Sequence, residues 1–230
     1  MGGYQIVVED ISQVEVLDAH FSRLWTDIQA SVSDSIIENA LSRAQLREDE
    51  QDWNAAVESY QEALAFLIPA ELPAKINTHT ADICFRFALC LRRAARWSEA
   101  LDQQKKTCAM YRQLGNLPGK ASVYMEMGHI YHLMNVYDLA LLYYREAYYL
   151  FRAAATEASD RVLRWYATQG MADSKESSGN LSFQLRLLPQ GLNDLREAQQ
   201  LYLSLGMPDK VAAIIQTLEN AQVAKGVNHV

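Results

Sequence analysis

Between residues 122 and 151 apolar side chains recur at three- and four-residue steps. Val123, Met127, Ile130 and Met134 mark one stretch, and Ala140, Tyr144, Ala147 and Phe151 mark the next. This is the period of an amphipathic helix. It breaks near Asn135-Val136, so the segment predicts two antiparallel helices joined by a tight turn. The pattern and its break occur twice more upstream. Ala44-Gln45-Leu46 leads to Asp52-Trp53-Asn54-Ala55-Ala56, Tyr60 and Ala63, and Ala88-Leu89-Cys90 leads to Arg96-Trp97-Ser98-Glu99-Ala100, Gln104 and Thr107. Gly128-His129-Ile130, with Val136-Tyr137-Asp138-Leu139-Ala140, Tyr144 and Ala147, is the third copy. Trp53, Trp97 and Tyr137 are spaced by 44 and 40 residues, which makes the helix pair a repeating unit.

The small residues have a packing role, because backbones approach closely only where Cβ is small or absent. Gly128 and Ala140 are therefore expected at the helix–helix contact. Trp53, Trp97 and Tyr137 are expected to act as plugs at the turns, each burying about 150–250 Å². Leu114-Gly115-Asn116-Leu117-Pro118 reads as the end of one helix and the start of another. The fourth unit departs from the pattern. Arg161 to Lys175 reads as its first helix, with the turn at Ser177-Ser178-Gly179-Asn180. Leu181 to Leu205 reads as a long second helix interrupted at Pro189-Gln190-Gly191. Met207 to Ala224 would cap the array, with fraying after Lys225. At the front, Asp10 to Ala30 reads as an extra helix, and Tyr4-Gln-Ile-Val-Val8 is β-like with no evident strand partner.

These residues resemble the tetratricopeptide repeat (TPR) family, over segments 37–69, 81–114 and 121–154. Tyr124, Met127-Gly128, Tyr131, Tyr137, Ala140, Tyr144 and Ala147 all sit where the family pattern places them. The long spacing is similar to the repeats of kinesin light chain, of Pins-type adaptors and of bacterial regulatory repeat proteins. Tyr111-Arg-Gln-Leu-Gly-Asn-Leu-Pro-Gly-Lys-Ala121 is typical of that subclass, and Tyr202-Leu-Ser-Leu-Gly-Met-Pro-Asp-Lys-Val211 repeats it more weakly. The resemblance implies an all-α, right-handed superhelix of antiparallel helix pairs. The expected organisation is a strand-like tail and extra helix over 1–35, then helix pairs at 36–70, 81–115, 118–155 and 158–205, and a capping helix and tail over 206–230.

Composition narrows the function. Half of the 230 residues are hydrophobic and the formal net charge is −7. That balance suits a globular chain and argues against nucleic-acid binding, which needs counterion-releasing positive charge. No leader-like core or apolar run of membrane-spanning length is present, Ile6 spoils a myristoylation motif, and a cytoplasmic chain is expected. Cys84, Cys90 and Cys108 form no CxxC pair and read as small core residues. No phosphate loop, GxSxG or HExxH occurs. His129 and His132 share a helix face, but a metal site needs three or four ligands, and groove-lining histidines are the plainer reading. Met125, Met127 and Met134 read as core. The pairs Tyr143-Tyr144 and Tyr148-Tyr149 must divide between core and surface. No cofactor, metal or catalytic group is expected.

The helix faces say more. If Ala44, Ala88 and Gly128 face their own partner helices, the residues turned away are Leu41, Gln45 and Glu48, then Phe85, Leu89 and Arg92, then Met125, His129 and His132. The TPR resemblance implies that such a strip is a concave groove for a peptide; the bland alternative is three solvated helix faces. Leu41 and Gln45 stand where the carboxylate clamp of the chaperone-binding members needs Lys and Asn, which excludes that specialised form. Residues 1–65 hold 13 acidic and 3 basic side chains, whereas residues 75–120 hold 9 basic and 3 acidic. This contrast fits either attraction between neighbouring repeats or an acidic partner segment drawn to the middle repeats. The expected function is a non-enzymatic adaptor or assembly factor that binds a partner peptide in the groove. The alternative is a peptide- or ligand-responsive sensor of the same repeat type. Surplus tyrosines on the third unit and the Tyr4–Val8 segment suggest a self-association surface as well.

Overall fold

The computed structural model describes residues 32–68 and 76–227, with side chains as far as residue 220. The described residues are helical and contain no strand. Helix α1 is described over 32–49. It is followed by α2 (Trp53–Leu67), α3 (Thr78–Arg93), α4 (Trp97–Gln113), α5 (Leu117–Leu133) and α6 (Tyr137–Glu157). The series ends with α7 (Arg161–Gln184), α8 (Leu188–Ser204) and α9 (Pro208–Val227). None of these helices is long and apolar enough to cross a membrane. The extra helix expected over Asp10–Ala30 and the Tyr4–Val8 segment lie outside the described residues.

Two compact units divide between Ala74 and Lys75. In the first, α1 and α2 close over Ala40, Ala44, Ala56, Val57, Tyr60 and Ala63, all buried. Arg43 pairs with Glu62 across this pair, and the Tyr60 hydroxyl donates to Glu48. In the second unit each helix from α3 to α9 packs on its successor in the chain, and α3, α5 and α7 also meet side by side. The close approaches fall where the small residues stand. A Cβ on Gly128 would lie 2.6 Å from the Tyr144 ring, and one on Gly170 would lie 2.5 Å from the Phe151 ring.

Six of the turns share one backbone solution. After α3, Ala94 N–H bonds to Cys90 O, Ala95 N–H to Arg92 O and Arg96 N–H to Leu91 O, which is the Schellman arrangement. The residue in the left-handed conformation is Gln51, Ala95, Gly115, Asn135, Arg186 or Gly206, with φ between 58° and 69°. Asp52 and Asn116 cap the helices after two of these turns, and Asn77 and Asp160 cap α3 and α7, each accepting from a first-turn N–H. Trp53, Trp97 and Tyr137 open α2, α4 and α6 at equivalent corners but remain half-exposed. The deepest plugs are instead Tyr60, Tyr111, Tyr144, Phe151 and Tyr202, in the second helix of each pair.

The structure corrects the fourth unit. Helix α7 runs unbroken through Ser177-Ser178-Gly179-Asn180, and the turn falls at Leu185-Arg186-Leu187. Pro189 sits in the first turn of α8, as Pro118 does in α5, where a missing N–H is harmless. Gly179 and Gly191 are not turn residues. They let α7 and α8 approach so closely that a Cβ on Gly191 would lie 3.1 Å from the Gly179 carbonyl oxygen. At the end of the chain, α9 continues through the expected fraying point to Val227.

Candidate functional site

The strip residues of the first unit lie on α1. Leu41 is half-buried, the Gln45 amide donates to Asp49 at 3.1 Å, and Glu48 receives the Tyr60 hydroxyl. The other six lie in the second unit, all of them half-buried: Phe85, Leu89 and Arg92 on α3, and Met125, His129 and His132 on α5.

Three of the six, Arg92, His129 and His132, make sideways contacts between the first helices of successive pairs. Arg92 Nε donates to Glu126 Oε2 at 2.7 Å, linking α3 to α5. His129 Nδ1 lies 3.2 Å from Glu126 Oε1, and its Nε2 lies 3.4 Å from Ser177 Oγ on α7. His132 Nε2 meets Gln184 Oε1 at 3.0 Å. Both histidines are thus tied into the wall by their ring nitrogens, and among the described residues no group of three His, Cys, Asp or Glu side chains could hold a metal. Met125 is drawn inward. Its sulfur accepts from Ser174 Oγ at 3.8 Å, and it packs against the α5–α6–α7 core.

Glu126 and Gln184 were not singled out in the sequence and Ser177 was read as a turn residue, yet all three bond to the strip residues. The same offsets counted from Gly179 reach Glu176, Asn180 and Phe183, and these become visible only once the fourth turn is set at Arg186. Glu176 belongs to a polar cluster that ties α7, α8 and α9 together. Tyr202 Oη lies 2.5 Å from Asp173 and 2.6 Å from Glu176, and Lys210 Nζ lies 2.9 Å from Glu176.

Electrostatics differ along the wall. Burial alone would raise the Glu126 carboxyl, but the His129 hydrogen bond and the charges of His129 and Arg92 outweigh it and hold the group below its ordinary value. Burial dominates at Asp173 and raises it despite the Tyr202 hydrogen bond. Burial likewise pushes the Cys84 thiol up to about 11, which keeps it a neutral, unreactive core group. Cys84, Cys90 and Cys108 are all free thiols. Of the basic residues between 75 and 120, Arg92 pairs with the next repeat, whereas Arg96 and Lys105 pair locally with Glu99 and Asp102.

No family model matches the chain, and no curated protein matches it. Solved structures do. BtubC (BKLC) from P. vanneervenii is 17% identical and superposes over 97% of this chain and 93% of that one, with a TM-score of 0.57. A Podosopora anserina protein described as a kinesin light chain with nearly identical TPR-like repeats is 14% identical, covering 82% of this chain and 96% of that one at a TM-score of 0.48. The MamA protein is 11% identical over 74% of this chain and 93% of that one, at 0.29. At such identities the likeness concerns the fold alone, and only the first superposes closely enough to support an argument. The fold is an all-α, TPR-like array of helix pairs.

Proposed function

We propose that the chain is a non-enzymatic interaction module that holds a partner polypeptide along the strip formed by α3, α5 and α7. The observation that carries this reading is the sideways bonding of His129 to Ser177, His132 to Gln184 and Arg92 to Glu126. These bonds run between neighbouring repeats, while His129 and His132 also meet Tyr144 and Tyr137 of their own partner helix edge-on, so the same side chains anchor three helix faces as one wall. Phe85 and Leu89 supply its apolar edge, and the Arg92, His129 and His132 row supplies its polar edge. The basic content of the middle repeats favours a partner segment carrying acidic residues. That geometry supports an adaptor or assembly role, and three free thiols suit a reducing, cytoplasmic setting for it.

The test is partner recovery from the native cell by the full chain and by a Phe85→Glu, Leu89→Glu double variant. Both positions are half-buried, and the Met125 position is avoided because it belongs to the core. The expected result is loss of the specific partner with unchanged helicity by circular dichroism. Undiminished recovery by a folded variant removes the strip assignment.

A further inference from the structure

A cleft of about 540 Å³ opens between α6 and α8 over α7, lined by Arg145, Tyr148, Lys175, Ser178 and Asp194 among others. Its size lies within the range of small-ligand sites. One repeat earlier the corresponding space, between α4 and α6 over α5, is filled. There Tyr131 stacks on Tyr143 at 5.3 Å and Tyr124 meets Tyr143 edge-on at 5.5 Å. Lys105 and Cys108 of α4 lie close enough to act on the Tyr143 phenol.

Counted from the left-handed turn residues Asn135 and Arg186, Lys175 replaces Tyr124, Ser178 replaces Met127, Ser182 replaces Tyr131 and Asp194 replaces Tyr143. Two rings and a thioether have given way to Lys175, Asp194 and Ser178, which line the cleft, and a third ring to Ser182, which is fully buried. Lys175 forms ion pairs there with Asp194 at 2.7 Å and with Glu197 at 3.0 Å, and the Lys175 and Asp194 side chains are only 18% and 9% exposed. Ser178 donates to the same carboxylate at 2.8 Å, and the Lys175 ammonium lies 4.8 Å from the centre of the Tyr148 ring. A buried ion pair is a poor substitute for packed rings as a source of stability, so the exchange makes sense as a site rather than as a core.

We propose that this cleft is a second binding site, distinct from the strip, which receives the phenol ring of a tyrosine on a partner polypeptide. The chain's own buried tyrosines show the chemistry. Tyr60 donates to Glu48, Tyr111 donates to Asp82 at 2.6 Å, and Tyr202 lies within reach of Asp173 and Glu176. A guest phenol in the cleft meets the same arrangement. Its hydroxyl donates to Asp194 beside the Lys175 and Ser178 bonds and accepts from the Lys175 N–H that neither Asp194 nor Glu197 takes, and its ring lies against Tyr148. Leu139, Leu142 and Tyr149 are 36%, 38% and 46% exposed. All three line the cleft, whose volume of about 540 Å³ is more than one ring can fill, and this surplus apolar lining favours a polypeptide over a free phenol.

The test uses the isotope-labelled full chain with three probes followed by NMR: p-cresol, toluene and a five-residue peptide with a central tyrosine. p-Cresol is expected to shift the amide signals of Tyr148, Lys175 and Asp194, and toluene to bind about fivefold more weakly for want of the hydroxyl. The peptide is expected to bind at least about fivefold more tightly than p-cresol through contacts with the leucines. A Lys175→Tyr, Asp194→Tyr double variant restores the rings of the preceding repeat, and it should abolish all binding without lowering the melting temperature. Should that variant fail to fold, Leu142→Glu at the exposed border should weaken the peptide about fivefold and leave p-cresol unchanged. The Phe85→Glu, Leu89→Glu variant should bind all three probes normally, which separates this site from the strip. Absent shifts, shifts confined to the strip, or toluene binding as well as p-cresol would each overturn the proposal. A peptide no tighter than p-cresol would overturn its assignment to a polypeptide.

Discussion

Among the described residues six hold the left-handed conformation that ends a helix, and of these only Gly115 and Gly206 are of the type that adopts it freely. At Gln51, Ala95, Asn135 and Arg186 the same backbone is imposed by the helices on either side, against about 1–2 kcal/mol of steric resistance for a residue with a Cβ. Glycine there removes that resistance but enlarges the freedom of the unfolded chain, a loss of about 0.4–1 kcal/mol. Ala95→Gly should therefore stabilise the second unit by about 0.5–1 kcal/mol, read as a higher urea midpoint with an unchanged slope. Gly115→Ala should do the reverse. A Cβ at Gly115 meets nothing within 4 Å, so backbone strain is its whole effect. The same fact explains why one turn was legible in the sequence and another was not. Leu114-Gly115-Asn116 announces itself by residue type. Leu185-Arg186-Leu187 carries no turn former, whereas Ser177-Ser178-Gly179-Asn180 carries several and is helical. The glycine there serves the approach of α8, a tertiary demand that a local reading cannot see.

At the scale of elements, the rows of small residues were legible because they recur in register, and they do mark the helix contacts. What recurrence does not tell is how tightly each contact is closed. Gly170 sits in α7, where alanine would ordinarily add about 1 kcal/mol of helix propensity. Here the added Cβ would lie 2.5–2.6 Å from three atoms of the Phe151 ring, itself only 1% exposed and without room to retreat. Overpacking of that kind costs about 1–3 kcal/mol, so it outweighs the propensity gain. Gly170→Ala should lower the melting temperature, and adding Phe151→Leu should recover part of the loss although that change is destabilising by itself. Purely additive losses in the double-mutant cycle would show that α6 and α7 adjust without strain at this contact. The cleft between α6 and α8 was hidden for a related reason. It is defined by rings that are absent, and their absence can be seen only when the fourth repeat is in register with the third.

Across the second unit, hydrogen-bonded polar groups run in chain order through Arg92, Glu126 and His129 to Ser177, and a second cluster joins Asp173, Tyr202, Glu176 and Lys210. The two respond oppositely to acid. Glu126 is held below its ordinary value of 4.5, so its contribution is fully present above that value and is lost as pH falls through the lower folded-state value. Asp173 is raised, so the folded state binds its proton more readily than the unfolded chain and gains stability as pH falls from the raised value towards the ordinary 3.8. Glu126 has the larger structural consequence, because its protonation weakens the bonds that fix α3 beside α5, whereas a protonated Asp173 can still hydrogen-bond to Tyr202. Urea titrations between pH 3.5 and 7 should therefore show stability nearly level down to about pH 5 and falling below about pH 4.5. Glu126→Gln should be less stable than the parent chain at pH 7 and should lose less on acidification. Asp173→Asn should steepen the acid loss, because the compensating proton uptake is gone. If Glu126→Gln follows the parent's acid limb unchanged, the wall is held by its apolar contacts, and the sideways charge chain is incidental to the alignment of the strip.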